Sequence, residues 1–442
     1  MRLASTKTAA ALCGGLLLAM SVPASAAVDA KLLDMLKANG SITNAQYSEL
    51  QAELARDQKD QQIARQAQQE TNEQIAATAK KTEALSTFDQ KLAWAAKTQF
   101  KGDVRFRQET VKNDGVSNTG DQDRQRIRVR LGAYTAINPQ VDTGIRIATG
   151  SDNDSRSTNQ SLDGNFTKKD IWLDRAYINW HPENVPGLKM IGGRMAQPWT
   201  KVAETEMIWD NDVNPEGVAA QYSRKFGDTN VFGSGGAFTV KDNATGFGPE
   251  FNNDLRLYYA QLGANLFPGE DFKLTVGASV FHYFKDDQGV PTQAPNAGIG
   301  LTLNGNNSTQ FQLYEGFGQL DVLGLPLPLS LYGQYVQNPN ANGPDDGEDR
   351  GYLLGLITRF WEIGVNYSYR DVERNAVVGA FTDSDFASGF TASKGSKLQL
   401  TYNITKNFQF LTTYFYTESD ASNPAKPGAQ TNTLQLDLVA TF

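Results

Sequence analysis

From Gln99 to the end of the chain, apolar and polar residues alternate with a period of two. Ile127-Arg128-Val129-Arg130-Leu131 shows it cleanly, and Leu434-Gln435-Leu436-Asp437-Leu438 carries it on through Ala440 to Phe442. Leu274, Val276, Ala278 and Val280 fall on one face, with Lys273, Thr275, Gly277 and Ser279 on the other. Successive strand residues point to opposite faces, so each segment predicts a strand with one apolar face and one polar or small face. A β-sandwich would show the same alternation. The connections decide between the two.

Short turns and long polar loops follow one another in strict order. The short ones are Asn138-Pro139, Pro182 to Gly187, Gly227 to Thr229, Pro268 to Asp271, Leu323 to Pro328, Phe360-Trp361 and Thr405 to Asn407. The long ones fall near 113–121, 151–168, 197–216, 241–253, 285–308, 339–350, 373–395 and 419–430. This partition predicts sixteen strands, seven short turns and eight long loops. Such asymmetry, with an even strand count and both chain ends on the short-turn (periplasmic) side, describes a membrane-spanning barrel. Roughly sixteen strands leave an aqueous lumen, whereas roughly eight fill with side chains. The predicted fold class is therefore all-β, a transmembrane antiparallel β-barrel over 98–442. Trp172, Trp180, Tyr258, Tyr259, Tyr283, Phe284, Tyr414, Phe415 and Tyr416 near strand ends fit aromatic rings at the water interfaces.

The first part of the chain follows a different period. Residues from about Asp29 to Ala96 are rich in Ala, Gln, Glu and Lys, with no Pro and a single Gly. Lys31 to Leu36 reads as a short amphipathic helix closed by Asn39-Gly40, and Ser41 or Thr43 starts a second one. Leu50, Leu54, Ile63, Ala67, Ile75 and Leu85 give one narrow apolar stripe. That predicts a helical or coiled-coil segment over 27–97, with a solvated single helix as the alternative. Ahead of it, Arg2 and Lys7, the apolar stretch Ala9 to Met20, Pro23 and Ala24-Ser25-Ala26 form a signal peptide over 1–26.

Composition narrows the chemistry. Cys13 is the only cysteine and lies inside the signal, so the mature chain has no disulfide, thiolate metal site or Cys nucleophile. Leu12 before Cys13 and Leu16-Leu17-Leu18 after it argue against lipidation. His181 and His282 are the two histidines; His181 precedes Pro182 at a turn, and His282 continues the lipid-facing series of its strand. Neither has a catalytic setting, so no enzyme activity, cofactor or metal is expected. A net charge of −8 argues against a nucleic-acid partner. Ser151-Asp152-Asn153-Asp154-Ser155 lacks the Gly and terminal Glu of a calcium loop. Asp345-Asp346-Gly347-Glu348-Asp349 reads as a solvated run that could bridge to lipopolysaccharide through divalent cations.

The charged strands point to a basic wall. Arg105 and Arg107 alternate with Val104 and Phe106; Arg126, Arg128 and Arg130 alternate with Ile127, Val129 and Leu131. With the apolar residues toward lipid, these guanidinium groups face the lumen. The reverse register would cost about 2–4 kcal/mol for each near the midplane. Arg146, Arg175 and Arg194 on the next three strands join them. The third long loop, 197–216, is part aromatic (Trp199, Trp209) and part acidic (Glu204, Glu206, Asp210, Asp212). Two tryptophans suit a loop folded inward as a constriction better than one left outside. Acid would then face base across a narrow gap, a field that selects solutes by size and charge.

Leu173-Asp174-Arg175-Ala176-Tyr177-Ile178-Asn179-Trp180, Gly192-Gly193-Arg194-Met195 and Asn214-Pro215-Glu216-Gly217-Val218 resemble the putative-porin family of Gram-negative bacteria, over nearly the whole mature chain. The resemblance implies a barrel with a helical N-terminal segment, in the outer membrane, passing ions and small hydrophilic solutes by diffusion. The sixteen strands, the arginine wall and the acidic third loop lead us to expect a homotrimer. The resemblance implies lipid and lipopolysaccharide as surroundings. It also implies that terminal Phe442 is the residue the barrel-insertion machinery recognises. The Lys-rich pattern of phosphate-selective porins is missing, so phosphate specificity is not implied. The competing reading is a tether, in which the helical segment grips peptidoglycan or a periplasmic partner. A plugged energy-driven transporter would need a globular plug, which about seventy helical residues do not supply.

Overall fold

The computed structural model describes residues 30–114, 120–152, 154–241, 254–267, 269, 271–284, 286, 304–420 and 427–442. The signal peptide expected over 1–26 lies outside them. The chain forms two compact units, one up to Leu92 and one from Ala93 onward.

The first unit is helical. α1 spans Ala30–Ala38 and α2 spans Asn44–Ala96, 53 residues. Gly40, at φ 74°, takes the left-handed turn that ends α1. Thr43 and Gln46 then form a reciprocal cap. The Thr43 Oγ1 accepts from the Gln46 N–H at 3.3 Å, and Gln46 Oε1 accepts from the Thr43 N–H at 3.0 Å. Beyond its first turns α2 has no buried side chain among the described ones: Ile63, Ile75 and Leu85 are all more than half exposed.

The second unit is a closed antiparallel barrel. Its strands are β1 (Thr98–Asp114), β2 (Gln122–Asn138), β3 (Val141–Thr149), β4 (Gln160–Ser161), β5 (Ile171–Trp180), β6 (Leu188–Arg194), β7 (Glu216–Phe226), β8 (Thr229–Lys241) and β9 (Leu255–Leu266). There follow β10 (Phe272–Phe284), β11 (Gln312–Val322), β12 (Leu329–Gln337), β13 (Arg350–Phe360), β14 (Ile363–Val372), β15 (Ser393–Thr405), β16 (Phe408–Ser419) and β17 (Gln430–Thr441). Sixteen are staves. The extra one, β4, is a two-residue strand in the second long loop, paired with β2. Closure comes from β17 against β1, with Phe106 opposite Leu438 and Arg107 opposite Asp437.

Register follows the cost of burying charge in lipid. Val104, Phe106, Leu131, Leu434 and Leu438 point outward and are exposed, whereas Asp103, Arg107, Glu109 and Asp437 point inward and are buried. The aromatic rings divide the same way. Trp172, Trp180, Tyr258, Phe284, Tyr414 and Tyr416 face outward, but Tyr259, Tyr283 and Phe415 are buried inside. Adjacent strand residues cannot share a face, so these last three leave the expected girdle.

Inside, the barrel has two unlike halves. The inward faces of β7 to β14 carry an apolar and aromatic core of Phe238, Leu257, Tyr259, Phe281, Tyr283, Leu313 and Val336, interspersed with polar groups such as Gln261 and Gln334. The third long loop, here L3 (195–215), is folded onto them through Trp199, Met207, Ile208 and Trp209. The inward faces of β15, β16, β17, β1, β2 and β5 are polar and border an open space.

Candidate functional site

L3 is anchored by rings and by amides. Trp209 lies 4.7 Å from Trp199, 5.5 Å from Phe281 and 5.3 Å from Phe381, centroid to centroid. A loop docked in a barrel must also satisfy its backbone. Inward glutamines of the wall do this. Gln261 accepts from the Thr200 N–H at 2.7 Å and Gln319 from the Ala203 N–H at 2.9 Å, while Gln221 donates to the Pro198 carbonyl at 2.6 Å. Ala203 and Glu204 turn the loop with φ of 47° and 51°.

A second loop, L7 (373–392), also folds inward, although its length and polar ends suggested an outer loop. Ala376, Val377, Val378 and Phe381 are buried in the same core. L7 and L3 share backbone bonds: the Asp210 N–H donates to the Phe381 carbonyl at 2.7 Å and the Asp383 N–H to the Glu206 carbonyl at 3.0 Å. Arg156, from the loop between β3 and β5, locks L7 by donating to the carbonyls of Gly379 at 3.1 Å and Gly389 at 3.0 Å.

Between these loops and the polar wall lies an open space of about 610 Å³. Arg105, Arg107, Arg128, Arg130 and Arg175 line it, together with all four expected loop acids, Glu204, Glu206, Asp210 and Asp212. Arg126, Arg146 and Arg194 do not border it. Arg126 turns to Glu109 at 3.7 Å, Arg146 pairs with Asp174 and Arg194 with Glu216. The reason for Asp174 is a bulge: Arg146 sits opposite Arg175 and Ile147 opposite Leu173, which leaves Asp174 unmatched and inward beside Arg175. Phe442 is apart from all of these. It is exposed at the end of β17, and its backbone exchanges two 3.0 Å bonds with Gly102.

Several lining groups lie in loops and carry no signal in the strand alternation: Arg156 and Lys201 add positive charge, and Asp383 and Asp385 add negative charge. Lys397 and Asp437, on the polar faces of β15 and β17, line the space as well. The apolar run Val377-Val378-Gly379-Ala380-Phe381 inside a loop is the sign that L7 folds in, just as the tryptophans are for L3.

The charges are arranged by side. On the wall, Asp103 accepts from Arg128 at 2.8 Å and from Arg130 at 2.6 Å. Arg107 grips Asp437 with two bonds of 2.7 and 2.8 Å. Arg175 donates to Asn214 at 2.7 Å, and among the described residues no carboxylate pairs with it. On the loops, Glu206 faces Lys397 at 3.5 Å, and Asp210 accepts from the Ser384 N–H at 3.0 Å. Burial, then the neighbouring Asp383, raises the Glu206 carboxyl. Burial, then Glu206 and Asp212, pushes the Asp210 carboxyl well above the ordinary carboxylate range. Burial lowers the Lys201 ammonium, against the pull of Glu206 and Asp210. Asp212 bridges the two sides. It lies 3.4 Å from Arg130 and accepts from the Thr158 hydroxyl at 2.9 Å.

The chain matches the family model described as Putative porin over residues 111–310 and 346–442. A curated relative, phosphate starvation-inducible protein 1 of Pseudomonas fluorescens, is 79% identical over 38 residues, which is 9% of this chain and 97% of that sequence. Among solved structures, OprB of Pseudomonas putida at high pH superposes with a TM-score of 0.50 at 14% identity, covering 81% of this chain and 97% of that one. A mutant porin of Rhodopseudomonas blastica gives 0.44 at 10% identity, covering 78% and 100%. A loop-deletion mutant of OmpT, an outer membrane protein of Vibrio cholerae, also gives 0.44 at 10%, covering 78% and 99%.

Proposed function

Because the chain belongs to the Putative porin family, we propose that it is an outer-membrane channel for passive diffusion of ions and small hydrophilic solutes, without enzymatic activity. The single observation that carries this reading is the open space itself. Arginines of the β1–β2 wall and carboxylates of L3 face each other across it, inside a barrel whose other half is filled. Charges so placed orient dipolar solutes and water and set selectivity by size and sign. Reconstituted in planar bilayers, the purified barrel should give discrete, stable conductance steps. A folded barrel that gives none would sink the proposal.

A second role has its own support in α2. Its apolar stripe is uncovered through Ile63, Ile75 and Leu85, and a narrow seam of that kind is what a coiled coil buries. We read it as a stalk that joins copies of the chain, in a trimer, and reaches the periplasmic side, where peptidoglycan is the candidate contact. Lipopolysaccharide around the outer loops and the barrel-insertion machinery at Phe442 complete the proposed partners. Deleting residues 29–96 should abolish cross-linkable oligomers while leaving the barrel able to conduct.

A further inference from the structure

The wall opposite L3 carries more positive charge than its own carboxylates neutralise. Between residues 103–109 of β1, 124–130 of β2 and 431–439 of β17, the inward charges are Arg105, Arg107, Arg124, Arg126, Arg128 and Arg130 against Asp103, Glu109 and Asp437. Two loop carboxylates reach across to it. Asp212 meets Arg130 at 3.4 Å, and Asp385 of L7 meets the Nη1 of Arg107 at 3.0 Å.

The Asp385 contact has the features of an occupied ligand site. Arg107 is almost wholly buried, its side chain 5% exposed, and is held rigidly by Asp437. Its Nη1 points at the loop, with Glu109 of the wall farther off at 3.6 Å. Beside it, the Nε of Arg105 is buried without an acceptor among the described residues. A buried donor left unmet is costly, so such groups mark a place where an acceptor belongs. Arg105 and Arg107 both border the open space, as does Asp385. The carboxylate is the more accessible member, 26% exposed. Its segment is strained: Ala387 and Ser388 have φ of 49° and 58°, so contacts and not backbone preference hold it in place. Burial alone would raise the Asp385 carboxyl, but Arg107, with Gln435, Arg126 and Arg105 behind it, holds it below the usual carboxylate range.

We infer that Asp385 is a tethered counter-anion, occupying on the β1–β2–β17 wall a subsite that takes the carboxylate of a passing solute when the tip of L7 withdraws. The class of ligand follows from the occupant, since the site already holds a carboxylate against the Arg107 guanidinium. The role assigned to this site rests on the channel reading, but its occupancy can be read without a current.

Acetate is the probe, being the Asp385 side chain without its backbone. Saturation-transfer NMR on the detergent-solubilised barrel would follow the acetate methyl signal in wild type, Asp385→Asn and Asp385→Asn/Arg107→Gln. Removing the tether should lower the half-saturating acetate concentration at least tenfold. Adding the Arg107 change should restore the wild-type value. If the Arg107 variant does not fold, Asp385→Asn/Arg105→Gln serves in its place. Equal saturation in wild type and Asp385→Asn, or a gain that survives loss of the arginine, would overturn the inference. In bilayers the same concentrations should reduce the Asp385→Asn current. A wild type that binds acetate in this pattern yet never conducts would defeat the channel reading and leave the subsite standing.

Discussion

Arg128 and Arg130 share one carboxylate, Asp103, and both border the open space, while Arg126, two residues earlier on the same face, is turned to Glu109. The three arginines therefore differ in placement despite one alternation pattern. Replacing Arg128 and Arg130 by Gln should move the reversal potential in a salt gradient toward cations, and adding Arg126→Gln should change it little further. An equal contribution from all three would contradict this placement. The loop carboxylates behave differently with pH. Glu206 and Asp210 have raised pKa values, so their protonated forms favour the docked loops. That stability is fully present below the ordinary carboxyl range, about pH 4, and is lost as pH rises through the raised values. Acidifying from neutrality should therefore steady the current and weaken cation preference, as the loop face loses charge before Asp385 does. Asp210→Asn should flatten that dependence. The sign of each lumen arginine was readable from its apolar neighbours. Which of them meets solute was not, because that depends on carboxylates from strands and loops far away in sequence.

L3 and L7 act as one element. Their shared backbone bonds and the Trp209–Phe381 stack bind them to the apolar half of the wall. Trp209→Ala removes a buried ring from that junction, a loss of about 3–5 kcal/mol by the usual cost of such truncations. Spread over two loops and not over the sheet, it should leave the barrel folded, with unchanged heat-modifiable mobility. The loops should loosen, giving a larger and noisier single-channel conductance. A quiet, unchanged conductance would show that L3 does not set the narrowest point. The inward course of L3 was legible because two tryptophans in a polar loop need a core. L7 hid the same message, since Val377 to Phe381 is flanked by charged residues and sits where an outer loop was expected. Part of the inner apolar face was equally hidden. Where a strand faces lipid on one side and a docked loop on the other, as at Leu257 to Ala260 of β9, it is apolar on both, so alternation there marks neither face.

At the scale of the whole molecule, strand count, closure and face assignment were all present in the sequence. The turn–loop order set the sixteen staves, and the lipid cost of arginine set their inner side. What stayed out of reach was the division of the lumen into a filled half and an open half. It depends on which inward side chains a loop covers, a relation between segments far apart in sequence, 278 residues for Arg107 and Asp385 of L7. The uncovered seam of α2 belongs to this scale too. With no cysteine after Cys13, Ile75→Cys introduces a single reporter; oxidation should link copies through it, whereas Lys80→Cys off the stripe should link far less. Equal yields would argue for a solitary helix. The central claim is that solutes cross through the space between the arginine wall and L3, and neighbouring residues of β15 test it most directly. Gln399 borders that space, and Leu398 points out toward lipid. A charged, water-soluble thiol reagent applied during bilayer recording should cut the current through Gln399→Cys channels and leave Leu398→Cys channels unaffected. Current through Gln399→Cys that persists under the reagent, with labelling confirmed by mass, would contradict it.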